Sequence, residues 1–426
     1  MTVRIPTTDL GLDEIELGDI FQWMRPDREG IFAKLRAEAP IKFFDEPIPP
    51  PEIDFPQGPG FWALTRFADV MQVSRDPETF HSAPSINIGD IPPEIAEWLG
   101  SMINMDAPKH TKLRLIVNRG FTPRQVAKID DNVRTQAREI VDRVALLGGE
   151  CDFVSEIAAA LPLQIICDML GIPREDNKRI FELTNIILGV GDPEYVQTLE
   201  ELMGAGMELF QYGINIAQDR LENPRDDIAT TLMHAEVEDE NGVHKLTPGE
   251  LGSFFLLLVV AGNETTRTAI SHGMYELTNR PDQRKLWADD LEGVSPTAVE
   301  EIVRWSTPVI HFRRTAVADT VVGGQEIKAG QKVVMFYNSA NRDERAFDDP
   351  FKFDVTRHPN EHTGFGAGGP HFCLGANLAR REIRIMFEEL FRRMPDIAVS
   401  GEPDNQQSGI IHRNKRMPCT WHTVNK

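Results

Sequence analysis

The chain has 426 residues, 41% of them hydrophobic, enough to bury a large core, and 45 Lys+Arg against 66 Asp+Glu leave a net charge of −21. Such an acidic surface argues against nucleic acid and anionic membranes as partners. Four widely separated cysteines (Cys151, Cys167, Cys373, Cys419) form no C-x-x-C pair, which fits neither a disulfide framework nor a zinc-site spacing and suits a reducing cytosol.

In chain order, the first residues, "MTVRIPTTDLGLDEIELGD", lack the apolar core of a signal peptide. The longest apolar run, Phe254 to Ala261, falls far short of the roughly 20 residues a bilayer span needs. A cytoplasmic protein without a membrane anchor is expected. From about 40 to 90, Pro-rich connections such as "EPIPPPEIDFPQGPG" alternate with short β-type runs. From about 108 to 290 helical periodicity dominates, with few strand signals. Beyond Pro308 β-type runs return, and "ADTVVGGQEIKAGQKVVMFY" carries Gly-Gly and Ala-Gly turn signals. No repeat, charge run or Gly/Ser linker divides the sequence. It reads as one domain over 1–426, mainly α with small β-sheets (α+β).

The clearest element is "LTPGELGSFFLLLVVAGNETTRTAISHGMYELTNRPD". Thr247 as N-cap, Pro248 at the first helical position and Glu250 three after the cap form a capping box. The pattern runs to about Asn279, where Pro281 stops it, giving a helix of roughly 48 Å. Phe254–Val260 is apolar all round, so this helix belongs inside the core.

Within it lies "AGNETT", Ala261 to Thr266. Gly262 weakens the helix by about 1 kcal/mol relative to alanine. As a purely structural feature, Glu264 would reach a wet edge and Thr265 would bond back to a carbonyl of the preceding turn. As a functional one, an acid–alcohol pair in a kinked buried helix moves protons. Further on, Glu301 and Arg304 of "EEIVR" share a helix face. His110, Arg114, Arg314 and His371 are isolated cations; taken singly each reads as a solvated charge, and jointly they suit carboxylate binding.

Cys373, in "GFGAGGPHFCLGANLARREIRIMF", follows a glycine-crowded loop and precedes residues at helical spacing. A nucleophile needs a nearby base, and His371 at i−2 is poorly placed. Zinc needs companion ligands that no spacing supplies. A sulfur just before a helix N-terminus has amides and the helix dipole to stabilise negative charge, and glycines admit a flat partner. That combination suits the thiolate ligand of a haem iron.

Taken in order, "HTKLR", "AGNETT", "EEIVR", "FRRTAVAD" and the Cys loop resemble the cytochrome P-450 family of haem-thiolate monooxygenases, over roughly Asp19 to Trp421. The resemblance implies a cytochrome P-450 fold with haem b between the long central helix and the Cys loop. It implies Cys373 as the axial ligand and His110, Arg114, Arg314 and His371 as partners of the haem propionates. Phe365 and Gly375 would flank the sulfur. Ala261 and Gly262 would face the haem and leave room for dioxygen, and Glu264 and Thr265 would guide protons. Glu301, Arg304 and Arg357 would form a structural triad. One departure is evident: Phe365 stands eight residues before Cys373, one more than the family's usual spacing, so the loop must bulge.

Finer similarity, in "ALPLQIICDMLGIP", "TNIILGVGDPE" and "HFCLGANLARREIR", is to actinobacterial enzymes acting on methyl-branched lipids and sterol side chains. It implies ω-hydroxylation of a branched lipid, isoprenoid or sterol side chain, with electrons from a ferredoxin and ferredoxin reductase. Apolar density before His110, including Ile86, Ile88, Ile91, Ile95, Trp98, Leu99, Met102 and Ile103, could line a pocket, with Leu188, Leu258, Val309 and Ile411 as further walls. Arg380, Arg381 and Arg384 suit an acidic electron donor or simply a solvated helix face. The alternatives are a peroxide-driven peroxygenase, against which the Glu264–Thr265 pair argues, and a non-catalytic haem- or lipid-binding or gas-sensing protein.

Overall fold

Thr247 begins the central helix as its sequence requires: its Oγ1 accepts from Glu250 N at 3.2 Å while Glu250 Oε2 accepts from Thr247 N at 2.9 Å. The helix runs Pro248–Asn279, 32 residues, and the next helix starts at Pro281. The structure, a computed structural model, describes residues 5–19, 22, 24–48, 57–90, 101–121, 123–196, 198–239 and 242–425.

The central helix crosses the helix Leu199–Glu222 at a pair of glycines. A Cβ on Gly213 would lie 2.9 Å from Gly252 Cα, and one on Gly252 would lie 2.9 Å from Phe210 O. Neither position accepts a side chain without separating the helices. Helices Ala160–Leu170, Leu291–Ser306 and Ala376–Arg393 pack around the remaining faces. The shared core includes Phe255, Val259, Ile270, Met274, Leu277, Trp287, Ile383 and Phe387, each almost fully buried. Every such side chain contributes about 1.5–3 kcal/mol by leaving water.

The strands come from both ends of the chain and interleave. One five-stranded sheet has the order Ile41–Phe44, Phe61–Leu64, Lys332–Phe336, His311–Ala316, Phe80–His81. Only the Phe61–Leu64 and Lys332–Phe336 pairing is parallel. A smaller antiparallel sheet sets Pro418–Thr420 between Ala398–Val399 and Glu150–Asp152. Its last strand comes from the otherwise helical stretch, where "GGECDF" is too short to register as an alternating pattern.

The Glu301–Arg304 pair is fully buried, with Arg304 Nε 2.7 Å from Glu301 Oε2 and Nη2 2.8 Å from Oε1. Arg304 Nη1 donates to the carbonyls of Asn341 and Pro350, and Arg357 Nε donates to Glu301 Oε2 at 3.1 Å. Saturated donors make this a clamp between the helix and the chain that leads into the Cys loop, rather than a reactive centre.

Candidate haem-thiolate site

The Cys loop folds back on itself through one backbone bond, Cys373 N donating to Phe365 O at 3.0 Å. Glycines shape the turn between them. Gly366, Gly368 and Gly369 have φ of 92°, 84° and 78°, and a Cβ on Gly369 would lie 2.2 Å from Ser74 O. Two consecutive residues at positive φ turn the chain here, a conformation only glycine adopts cheaply. Phe365 is buried, with the Arg380 guanidinium 4.4 Å over its ring.

Helix Ala376–Arg393 starts three residues after Cys373. The thiol has accessible surface although protein surrounds it, and burial pushes it above the usual thiol range. The Gly375 and Ala376 amides, with the Arg114 and Arg380 guanidiniums, pull the other way by favouring thiolate. A Cβ on Gly375 meets no protein atom within 4 Å, so the protein leaves that side of the loop clear.

The four expected carboxylate partners converge. The His110 and His371 rings lie 4.1 Å apart, and His371 Nε2 is 3.0 Å from Ser82 Oγ. Arg114 Nη2 donates to Phe372 O at 2.7 Å and Arg314 Nη1 to Arg313 O at 2.8 Å. Among the described residues neither guanidinium has a carboxylate in salt-bridge range, and His110 Nε2 is buried without a partner. Burial pulls both arginines below their usual range, holds His110 down, and takes His371 to about 3. Guanidinium charge held in a largely buried place without a carboxylate is costly, so the set fits an anionic group. A sulfur donor faced by amides, with guanidinium and imidazole donors awaiting carboxylates, fits haem.

On the central helix Thr265 Oγ1 donates to Ala261 O at 2.8 Å, the back-bond that sequence alone suggests. Ala261 is exposed although most of this helix is buried. Gly262 packs closely: a Cβ there would come 2.1 Å from Ile166 Cδ1. A side chain there would have to displace Ile166 of helix Ala160–Leu170.

Glu264 does not reach a wet edge. It is fully buried, with Oε1 2.6 Å from Arg267 Nη1 and Oε2 2.5 Å from Arg413 Nη1. Burial alone would raise its carboxyl, but the two guanidiniums more than offset that and hold it below the usual range. Sequence reasoning missed both partners. Arg267 sits at i+3 on the same face and was available as a signal; Arg413, 149 residues away, was not.

Of the expected substrate walls, Val309 and Ile411 meet across a β-bridge, with Ile310 N donating to Ile410 O at 2.9 Å. Gln406 Nε2 donates to Leu188 O at 2.6 Å, drawing the end of helix Asn177–Leu188 to the same C-terminal segment. Ile103 and Leu258 are half-buried. Ile88 packs on the cluster containing Ile310 and Phe336, and Ile86 and Met102 belong to the core. Ile91, Ile95, Trp98 and Leu99 lie outside the described residues.

The basic group on the Cys-loop helix is charge-compensated. Arg380 pairs with Glu300 at 2.5 Å, Arg381 with Asp130 at 2.6 Å, and Arg384 with Glu388 at 3.7 Å. Those arginines present far less net positive charge than their sequence suggests.

Comparison with known proteins agrees with this geometry. The Cytochrome P450 family model matches residues 95–289 and 294–408. The chain is 49% identical over 423 residues to a methyl-branched lipid omega-hydroxylase of Mycobacterium tuberculosis, covering 98% of this chain and 96% of that one. It is 42% identical over 411 residues to a steroid C26-monooxygenase of Rhodococcus jostii, covering 95% and 84%. A Mycobacterium marinum cytochrome P450 in complex with pseudoionone superposes with a TM-score of 0.90 at 42% identity, over 99% of this chain and 100% of that one.

Proposed function

Because the chain belongs to the cytochrome P450 family and is a monooxygenase, we propose that it hydroxylates the terminal (ω) methyl of a methyl-branched lipid, isoprenoid or sterol side chain. The observation that carries this reading is the near full-length similarity to both a branched-lipid ω-hydroxylase and a steroid C26-monooxygenase. Their substrates share one feature, a methyl at the end of a branched alkyl chain. The apolar pairing of Val309 with Ile411 suits such a chain end.

Haem b, held by Cys373 and anchored through His110, Arg114, Arg314 and His371, supplies dioxygen activation and C–H oxidation when bound. The protein contributes position and protons. Thr265 presents a hydroxyl beside the accessible Ala261, and Glu264, kept ionised by Arg267 and Arg413, is the adjacent proton acceptor and donor. Relay through Glu264 requires its carboxylate to exchange one guanidinium for water or Thr265. Electrons come from a ferredoxin and ferredoxin reductase, in the cytoplasm.

The test is a haem-spectral binding screen of branched fatty acids, isoprenoids and sterols, then turnover with dioxygen and a reductase system and analysis of the oxidised position. A terminal alcohol on a branched chain is expected. Oxidation confined to internal carbons would overturn the reading, and equal product from peroxide alone would favour a peroxygenase. Binding without turnover would favour a carrier or sensor. Cys373→His should abolish the thiolate-type spectrum of the reduced CO complex.

A further inference from the structure

Two cysteines that are far apart in sequence and outside the haem site meet in the small sheet. In the pairing of Glu150–Asp152 with Pro418–Thr420, Cys151 stands directly opposite Cys419, and their sulfurs are 3.5 Å apart. Flanking bonds fix the register: Phe153 N donates to Met417 O at 2.8 Å and Trp421 N to Gly149 O at 3.0 Å. Hydrogen-bonded positions alternate along an antiparallel ladder, so the cysteine pair occupies one, with Cα atoms about 5.5 Å apart. That lies inside the disulfide range of about 4.4–6.8 Å. Closing the bond takes side-chain rotation together with a local approach of the two strands, because the Cβ atoms of a disulfide stand about 3.5–4.5 Å apart, closer than those of a hydrogen-bonded pair.

The two thiols are not equivalent. Cys419 is buried, and its contact with Cys151, then burial, push its thiol up. Cys151 is half-buried and is the sulfur a small oxidant reaches first. Cys167 is buried in the main core, where burial and the nearby Asp168 and Asp176 push its thiol up to about 12.

We propose that Cys151 and Cys419 form a peroxide-oxidisable dithiol that closes to an intrachain disulfide. Hydrogen peroxide converts the Cys151 thiol to a sulfenic acid with release of water. Cys419 sulfur then displaces the sulfenic oxygen, which leaves as a second water with the Cys419 proton. Two thiols and one peroxide thus give one disulfide and two waters. The oxidant has a source in the protein's own chemistry, because two electrons and two protons that reach dioxygen without oxidising substrate leave as hydrogen peroxide. The bond would join residues 268 apart. It would pin the segment that carries Ile411 and Arg413 to the strand Glu150–Asp152, holding both a pocket wall and the partner of Glu264 in place while turnover is uncoupled.

The test uses reduced, desalted holoenzyme given one equivalent of hydrogen peroxide, then alkylated under denaturing conditions and mapped by peptide mass. A peptide pair linking Cys151 to Cys419, lighter by two hydrogens and restored by dithiothreitol, is expected, with Cys167 and Cys373 alkylated. The unfolding midpoint should rise by about 2–4 °C on oxidation, and not in Cys151→Ser or, as a second variant, Cys419→Ala. Substrate-free turnover with reductase should form the same link, and catalase should prevent it. Alkylation of both cysteines, sulfinic acid on Cys151 without a link, or a link between two chains would overturn the proposal. Linkage that persists in the presence of catalase would remove released peroxide as the oxidant.

Discussion

Arg413 Nη1 donates to Glu264 Oε2 at 2.5 Å, and both side chains are fully buried. The bond ties the C-terminal segment to the middle of the central helix. Asn185 Oδ1, on helix Asn177–Leu188, accepts from Arg267 at 3.1 Å and Arg413 at 3.3 Å, and the Arg413 guanidinium lies 4.6 Å from the centre of the Tyr195 ring. Three segments distant in sequence therefore set the charge and orientation of one carboxylate. Arg413 Nε and Nη2 are buried without partners among the described residues.

Arg413→Gln should cost about 3–5 kcal/mol of stability, because it breaks a buried pair and leaves Glu264 with one guanidinium. Denaturant unfolding measures this. The sign with pH is definite. Glu264 is held below its ordinary value, so its contribution is present above the unfolded carboxyl pKa and is lost as pH falls through the folded one. The variant should show a smaller loss of stability on acidification than the parent, and Arg413→Lys should restore part of it.

Thr265→Ala removes a hydroxyl whose bond is to Ala261 O within its own helix, so the fold should barely change. Product formation should fall on the order of 10²-fold while reductant consumption persists, with hydrogen peroxide taking up the difference. Thr265→Ser should recover coupling. Unchanged coupling in Thr265→Ala would remove this hydroxyl from the proton route.

Glu382 on the Cys-loop helix is an acid kept neutral. It is fully buried, its Oε1 has no partner among the described residues, and burial pushes its carboxyl up to about 8, opposed by the Thr266 hydroxyl. Folded protein thus retains a proton that unfolded protein releases near 4.5, and stability falls as pH rises between 4.5 and about 8. Glu382→Gln should remove that slope, gaining up to about 1.4 kcal/mol per pH unit over the parent across this window. Urea unfolding at pH 5 and pH 8 provides the comparison, and a constant difference would place the titration elsewhere.

Glu301→Gln should destabilise by about 3–5 kcal/mol, because it leaves Arg304 buried without its counter-charge. Arg304 also anchors the carbonyls of Asn341 and Pro350 ahead of the Cys loop. Haem content after refolding should drop along with the midpoint of unfolding, whereas an exposed pair of the same residues would change stability by only tenths of a kcal/mol.

The features legible beforehand are those written in adjacent residues. Thr247, Pro248 and Glu250 specify where the central helix begins, since capping is chemistry across a few bonds. Likewise the Gly-rich run before Cys373 announces a loop with left-handed turns, and Ala376 onward announces the helix behind the sulfur. The order of short motifs along the chain pointed to a family, and through it to Cys373. What those residues left open was which charges meet. That Gly262 also lies against Ile166 of another helix was not written in its neighbours. Three arginines beside Cys373 read as a basic patch and proved to be paired with Glu300, Asp130 and Glu388. Arg413 next to Glu264, and Cys151 facing Cys419, join residues 149 and 268 positions apart. Local propensity, capping and turn chemistry act over a few residues and are carried by the sequence itself. Burial and electrostatic pairing depend on which distant segments share a volume, and only the folded packing of the central helix, helix Asn177–Leu188 and the C-terminal strands decides that.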